Sequence, residues 1–398
     1  MDKVLEGIRV LDFSQFKAGP TCAQILADMG AEVIRVERPE GNSDRDLPPY
    51  TSDGQSFYLS FTCRNKKGIT LNLGEQKGKE IFQKLVKQSD VVIESFGPVA
   101  NKKLGINYQS LKHIKNDIIA VSISAFGQDG PYANRLGFDS IAQAMSGLMW
   151  VTGFPEENKP VRLGVSFTDI AAGVYGALGT LCALRYRDKT GKGQLVDISL
   201  LDSAVSFTES IWGEFKIAKQ IRPKVGNANI LAAPYDTFKT KDGWVAVGTG
   251  TSRQWKSLCK VTGREDLTED PKFRTIKDRC QLESIRFFSE WLGGWIAEKT
   301  VNEVVERLND AGIPCGPVNT IPEAFSDPQI RARKMIVEFD RPGIGKIPVV
   351  GIPVKLSETP GEIKTLDPAI GEHNEEIYCN LLGLTPEQIL QLKEEGVI

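Results

Sequence analysis

The apolar positions of the first third of the chain come in short runs separated by amphipathic stretches. Ile8 to Phe13 has strand character and leads into a loop holding Ala18-Gly19-Pro20. Ile25, Leu26 and Met29 then fall at helical spacing, Pro20 fits a first turn, and Gly30 can close the helix before the run Val33 to Val36. The pattern recurs, with a helix from Lys77 to Lys87 before Val91 to Ser95, and Leu104 to Ile114 before Ile118 to Ser122. Such alternation predicts an α/β fold with a doubly wound parallel sheet covered on both faces.

Asp169 to Arg187 reads as a long helix with Ile170, Val174, Leu178 and Leu181 on one stripe. Its small residues, Ala171, Ala172, Gly173, Gly176, Ala177 and Gly179, let another backbone come close, so deep packing is expected. Thr190 to Gly193 turns into a strand from Gln194 to Ile198, with a helix from about Leu200. After Lys219, the accumulation of Arg222-Pro223, Gly226 and Pro234 reads as a linker. Tyr235 to Thr240 and Trp244 to Val247, joined by Lys241-Asp242-Gly243, give a hairpin signal that ends in Gly248-Thr249-Gly250. Helices follow, one with a capping box from Thr300 to Glu303 and a closing Gly312. A second Pro/Gly-rich passage, Ile313 to Asn319, leads back toward the first domain.

Composition narrows the function classes. The chain has 398 residues, 49 Lys+Arg against 51 Asp+Glu, and a net charge of -2, which excludes the global basic footprint of a nucleic-acid coat. Its 38 glycines exceed the usual ~7% and predict many tight turns or close backbone approaches. Seven dispersed cysteines without a C-x-x-C pair suit reduced thiols. No signal-peptide pattern and no apolar run near the ~18 residues of a membrane span is read, so the expected setting is cytoplasmic, without membrane or nucleic-acid partners.

Several reaction classes lack their markers. There are two histidines, His113 and His373, with no H-E-x-x-H, G-x-S-x-G or P-loop motif, and no G-x-G-x-x-G in the first strand-to-helix loop. What remains is a set of anion contacts and one carboxylate. Gly19 could bring backbone amides to a ligand at a helix N-terminus, although a plain βα turn has the same composition. Arg35, Arg38, Arg64, Lys66, Lys67, Lys102 and Lys103 lie near strand ends, where ligands of parallel sheets bind, or are solvated surface charges. Asp169 begins the small-residue helix; the helix dipole would stabilise it and keep it ionised, whether as a structural carboxylate or as a nucleophile. Gly248-Thr249-Gly250 reads as a strand exit or as a mobile flap.

Leu5 to Asp12, Ala18-Gly19-Pro20, Gly30 to Glu37, Asn65-Lys66 with Leu71, Glu94 to Pro98, Gly127 to Tyr132, Asp169 with its helix, Thr190 to Asp197, and Ala311 to Pro314 follow one another in a specific order and spacing. Together they resemble the class III CoA-transferases, the CaiB/BaiF family that includes formyl-CoA transferase and carnitine CoA-transferase. The resemblance implies a large Rossmann-like CoA-binding domain from residues 1–219 and 325–398, a smaller α+β domain from 220–324, and an interlaced homodimer. It implies Asp169 as nucleophile and CoA contacts at Lys17, Ala18, Arg38, Leu71, Ser95, Phe96, Gly97 and Lys103. Gln15, Phe16 and Phe138, with Met145 and Trp150, would line the acyl pocket, and Gly248, Thr249 and Gly250 would form the flap.

The implied reaction moves CoA from an acyl-CoA donor to a carboxylic acid through aspartyl anhydride and aspartyl-CoA intermediates, with CoA carried by the substrate and no metal. Gln15, Ser95 and Lys103 stand where formyl-CoA transferase has histidine, asparagine and arginine, so its acyl substrate is not carried over. Phe138 occupies the position of the proton-moving histidine of the related α-methylacyl-CoA racemases, and a phenyl ring accepts no proton. A racemase, a non-catalytic CoA-binding subunit of a hetero-oligomer and, more distantly, a nicotinamide oxidoreductase are the competing readings.

Overall fold

The computed structural model describes every residue except 1, 2, 53, 55 and 342. Contacts divide it into two units, one from residues up to 148 with 162–210 and 332–398, the other from 149–161 and 211–331.

The first unit carries six parallel strands: β1 Arg9–Asp12, β2 Glu32–Glu37, β3 Lys66–Thr70, β4 Val91–Glu94, β5 Ile119–Ser124 and β6 Leu195–Ser199. Their order, β3-β2-β1-β4-β5-β6, places the reversal of winding between β1 and β4, where a crevice opens at the carboxyl ends of the strands. The apolar runs are continuous because both faces are buried. Val10, Val33 and Val91 pack on one side, while their neighbours Leu11, Ile34 and Val92 pack on the other. The α/β expectation therefore holds, and β3 adds a strand that the apolar pattern does not reveal.

The connecting helices include α1 Ala18–Asp28, α2 Gln76–Lys87, α3 Pro98–Leu104, α4 Tyr108–Ile114, α5 Asp139–Met145, α6 Leu148–Val151, α7 Phe167–Thr190 and α8 Leu200–Ser206. Helix α7 packs through its small residues, as expected, while its stripe of larger apolar residues stays outside the core. Its small-residue face, including Ala172, Gly173, Gly176 and Ala177, is buried, whereas Ile170, Val174, Leu178 and Leu181 are 42–54% exposed. Only glycine permits the close approach: a Cβ on Gly173 would lie 2.8 Å from the Ala18 carbonyl oxygen and from Thr21 Cβ on α1. With 24 residues and a mean hydropathy of 1.4 over its best window, α7 is long and apolar enough to cross a membrane, contrary to the sequence expectation. Its small residues supply much of that apolar character, and packing against α1 and the sheet occupies them.

The chain end returns to this unit, where Ile377, Tyr378, Ile389 and Val397 join the core on the α2 side of the sheet. Strands β10 Ile336–Arg341 and β11 Gly345–Val350 form an antiparallel pair before it.

The second unit contains β7 Tyr235–Lys239 and β8 Trp244–Gly248, the expected hairpin, joined by β9 Cys315–Pro317. β9 lies within the second Pro/Gly-rich passage, Ile313 to Asn319, the expected return toward the first domain; Pro317 is tolerated because it closes an edge strand. Residues 149–161 also group here rather than with the large domain. Gly226 N donates to Gly153 O at 3.0 Å, and Lys224 Nζ donates to the Glu157 and Lys159 carbonyls at 3.0 and 2.6 Å. Trp255, Phe288 and Leu292 centre this unit's core.

Candidate active site

The β1–α1 loop is shaped from beneath by buried charge. Asp12, at the end of β1, accepts hydrogen bonds from the backbone and hydroxyl of Ser14, and its other oxygen meets Lys66 Nζ at 2.8 Å. Ser14 presses so closely on α1 that a Cβ on Gly19 would lie 2.2 Å from Ser14 Cβ. Phe16 adopts φ +66°, a left-handed conformation held by two bonds. Its N–H donates to Asp44 Oδ2 at 3.0 Å, and its carbonyl accepts from the Tyr58 hydroxyl at 3.1 Å. Arg35 secures Asp44 from behind at 2.7 Å. The loop thereby presents Gln15, Phe16 and Lys17 at the winding reversal, and Gln15 N donates to Ser95 Oγ across it at 3.0 Å.

The β4–α3 turn forms the facing wall. Glu94, the last residue of β4, is buried; its Oε2 accepts from Phe96 N at 2.6 Å and its Oε1 from Asn101 Nδ2 at 3.2 Å. Burial pushes its carboxyl up to about 7 despite these bonds.

Asp169 enters from the first turn of α7. The preceding Thr168 is fixed by Asp139, which also accepts from Gln143 Nε2 at 2.9 Å. Burial, aided by the Asp139 charge and opposed by Lys17, pushes Asp169 up to about 7. This corrects the expectation that its position at a helix N-terminus keeps the carboxyl fully ionised. Desolvation and a like charge outweigh the helix end.

The β1–α1 loop, the Ser95–Gly97 turn and Asp169 line a cavity of about 330 Å³. Of the residues anticipated from sequence, it brings together Gln15, Phe16, Lys17, Ala18, Ser95, Phe96, Gly97, Phe138 and Asp169. Phe138 packs edge-on against Phe16 at 6.0 Å between centroids. Arg135, stacked 3.8 Å over the Tyr132 ring, also lines the cavity; sequence reasoning missed it because nothing local separates it from a surface arginine. A larger cavity of about 420 Å³ lies at the amino ends of the strands, around Lys3, Asn65, Lys67 and His373. Its charges are tied up internally, Asp28 with Arg64 and Lys67 with Glu32 and Glu376, so the smaller cavity is the candidate site.

The other anticipated residues lie outside it. Arg38 is exposed beside Glu40 at 3.4 Å, and Lys103 is exposed on α3. Leu71 is 3% exposed in the core and its N–H donates to the Glu37 carbonyl at 2.7 Å, so neither its side chain nor its N–H is offered to a ligand. Met145 and Trp150 are absent from the cavity lining, and Trp150 belongs to the second unit. Gly248, Thr249 and Gly250 also belong there: Thr249 is buried with its hydroxyl and N–H on the Pro234 carbonyl, and Gly250 N donates to Gln254 Oε1 at 3.0 Å. Four of the candidate cations are structural. Arg35 pairs with Glu37 and Asp44, Arg64 with Asp28, Lys66 with Asp12, and Lys67 with Glu32 and Glu376.

Comparison with known proteins gives a consistent picture. Residues 5–374 match the model of CoA-transferase family III. The sequence is 35% identical to the succinyl-CoA–D-citramalate CoA-transferase of Chloroflexus aurantiacus over 99% of this chain and 98% of that protein. It is 34% identical to the human succinyl-CoA:glutarate CoA-transferase over 100% of this chain and 90% of that one. A crystal structure of a CaiB/BaiF family protein from Brucella suis superposes with a TM-score of 0.82 at 32% identity, covering 96% of this chain and 100% of that one.

Proposed function

Because the chain belongs to CoA-transferase family III and is a CoA-transferase, we propose that it transfers CoA between carboxylic acids through covalent intermediates on Asp169. The observation that carries this reading is the convergence of Asp169, Lys17 and the Ser95–Phe96–Gly97 turn on one cavity at the winding reversal.

In the proposed sequence, an Asp169 oxygen attacks the thioester carbonyl, giving a mixed anhydride and releasing CoA thiolate. The thiolate attacks the aspartyl carbonyl of the anhydride, forming aspartyl-CoA thioester and expelling the donor as a carboxylate. An acceptor carboxylate attacks that thioester, and the regenerated thiolate takes the acceptor's acyl group, restoring Asp169. Displacing a thiolate of pKa ~8.5 by a carboxylate of pKa ~3.9 is uphill by about 6 kcal/mol on basicity alone. With Asp169 near 7, the mismatch falls to about 2 kcal/mol, within what a held thiolate contributes through effective molarity. Lys17 supports the charged form, and the aromatic pair Phe16–Phe138 supplies apolar cover against hydrolysis.

Succinyl-CoA is the proposed donor class. The names of several similar proteins carry it, and Lys17 and Arg135 offer two cations to a second carboxylate or to CoA phosphates. The proposed assembly is a homodimer, supported by the exposed apolar stripe of α7; light scattering tests it. The functional test is transfer by the purified chain from succinyl-CoA to a panel of carboxylic acids. Transfer by the wild type and loss in Asp169→Ala are expected, whereas retained transfer in the variant overturns the mechanism.

A further inference from the structure

We propose that Glu94 and Asn101 form a positioning pair that locks the Ser95–Phe96–Gly97 turn and helix α3 together to receive CoA. The inference rests on the CoA-binding reading above and assigns a role to two buried residues that the chemistry at Asp169 does not use. Glu94 is 1% exposed and Asn101 2% exposed, so neither serves as a surface contact.

The geometry divides the work between the two carboxylate oxygens. Oε2 takes the N–H of Phe96 at 2.6 Å and so closes the turn; Oε1 takes the Asn101 amide at 3.2 Å and so fixes the rotation of α3. Asn101 Nδ2 also donates to Gln128 Oε1 at 2.9 Å, and Gln128 N donates to Asp197 Oδ2 at 3.0 Å, tying the arrangement to β6. Lys103 lies two residues beyond Asn101 on the same helix, exposed at its surface. One carboxylate thus joins the turn that lines the cavity to the helix that carries a candidate phosphate contact. Only the ionised carboxylate accepts at both positions; glutamine at 94 would turn its amide nitrogen toward a donor at one of them.

The test measures CoA affinity and steady-state transfer in Asn101→Ala, alone and with Lys103→Ala. Removing the amide is expected to weaken CoA binding about ten-fold while kcat at saturating acyl-CoA stays within about two-fold. In the Lys103→Ala background, the effect of Asn101→Ala should fall below about three-fold, because the residue it positions is gone. Unchanged affinity, the same penalty in both backgrounds, or a loss confined to kcat overturns the proposal. If Asn101→Ala does not fold, Asn101→Ser, whose shorter side chain does not span to Glu94, is read in the same two backgrounds against the same outcomes. Wild-type protein that binds no CoA overturns the functional reading itself.

Discussion

Asp139 Oδ1 accepts both the backbone N–H and the hydroxyl of Thr168, each at 2.9 Å, immediately before Asp169. The contact fixes the first turn of α7 and sets a second carboxylate near the proposed nucleophile, with Arg162 3.6 Å from its other oxygen. Lys17 opposes that influence, but burial and Asp139 prevail and place Asp169 near 7. Since only the carboxylate can attack, kcat/KM should rise as pH passes through about 7. Asp139→Asn keeps an acceptor for Thr168 while removing the charge, and should move the inflection to lower pH. A profile flat from pH 6 to 8 would contradict this.

The same shift predicts a stability cost. A carboxyl whose folded pKa is raised holds its proton more tightly in the folded than in the unfolded state, so stability is lost as pH rises from the ordinary carboxylate range through about 7. Asp169→Asn should therefore unfold at a higher temperature than the wild type at pH 8 and by less than half that margin at pH 5, where an unfolded carboxyl of pKa ~3.9 is already largely ionised. Allowing for its partial exposure, the gain at pH 8 is about 1–2 kcal/mol, or roughly 2–4 °C. Thermal unfolding at the two pH values checks it.

At the loop beneath the cavity, Gly19→Ala would place a methyl group 2.2 Å from Ser14 Cβ. The loop has to move, at a cost of about 1–3 kcal/mol, taking Gln15 and Lys17 with it. CoA affinity should fall together with stability. Ser14→Gly in the same chain removes the obstructing atom and should restore part of both, as titration calorimetry would show.

Lysines near the sheet should separate into two groups. Lys66→Met strands the fully buried Asp12 carboxylate and should destabilise by about 3–5 kcal/mol. Lys103→Ala should leave stability within about 0.5 kcal/mol but weaken CoA binding and reduce its salt dependence. Denaturant unfolding and affinities at two ionic strengths distinguish them.

Leu178, 54% exposed on α7, lies in the middle of the apolar stripe. Leu178→Glu should leave the secondary structure intact and shift the assembly toward monomer in light scattering. An unchanged mass would remove that stripe from the proposed dimer interface.

What was legible in the sequence follows the range of the forces involved. The parallel sheet could be read because burial on both faces leaves continuous apolar runs such as Val91 to Ile93. β3 could not, because Lys66-Lys67-Gly68 resembles a polar loop until Asp12 and Glu32 neutralise its charges from other strands. Arg35 and Lys66 read as ligand contacts because their strand-end positions are visible in sequence while the burial of their carboxylate partners is not. Local spacing showed the stripe on α7, but which face turns inward was decided by the approach of α1 to Gly173. The resemblance placed most of the cavity, including Asp169, Phe96 and Lys17. The raised Asp169 carboxyl reflects burial first and then the charge of Asp139, thirty positions away in the sequence, and helix-end reasoning alone gave the opposite direction.

The covalent role of Asp169 is open to one direct measurement. The protein is incubated with succinyl-CoA, quenched with hydroxylamine, digested, and the peptide containing Asp169 is examined by mass spectrometry. An activated aspartyl carbonyl should yield the hydroxamate at Asp169, dependent on the acyl-CoA and absent from Asp169→Asn. Transfer of CoA to an acceptor acid with Asp169 unmodified, or a hydroxamate at a different carboxylate, would contradict the account.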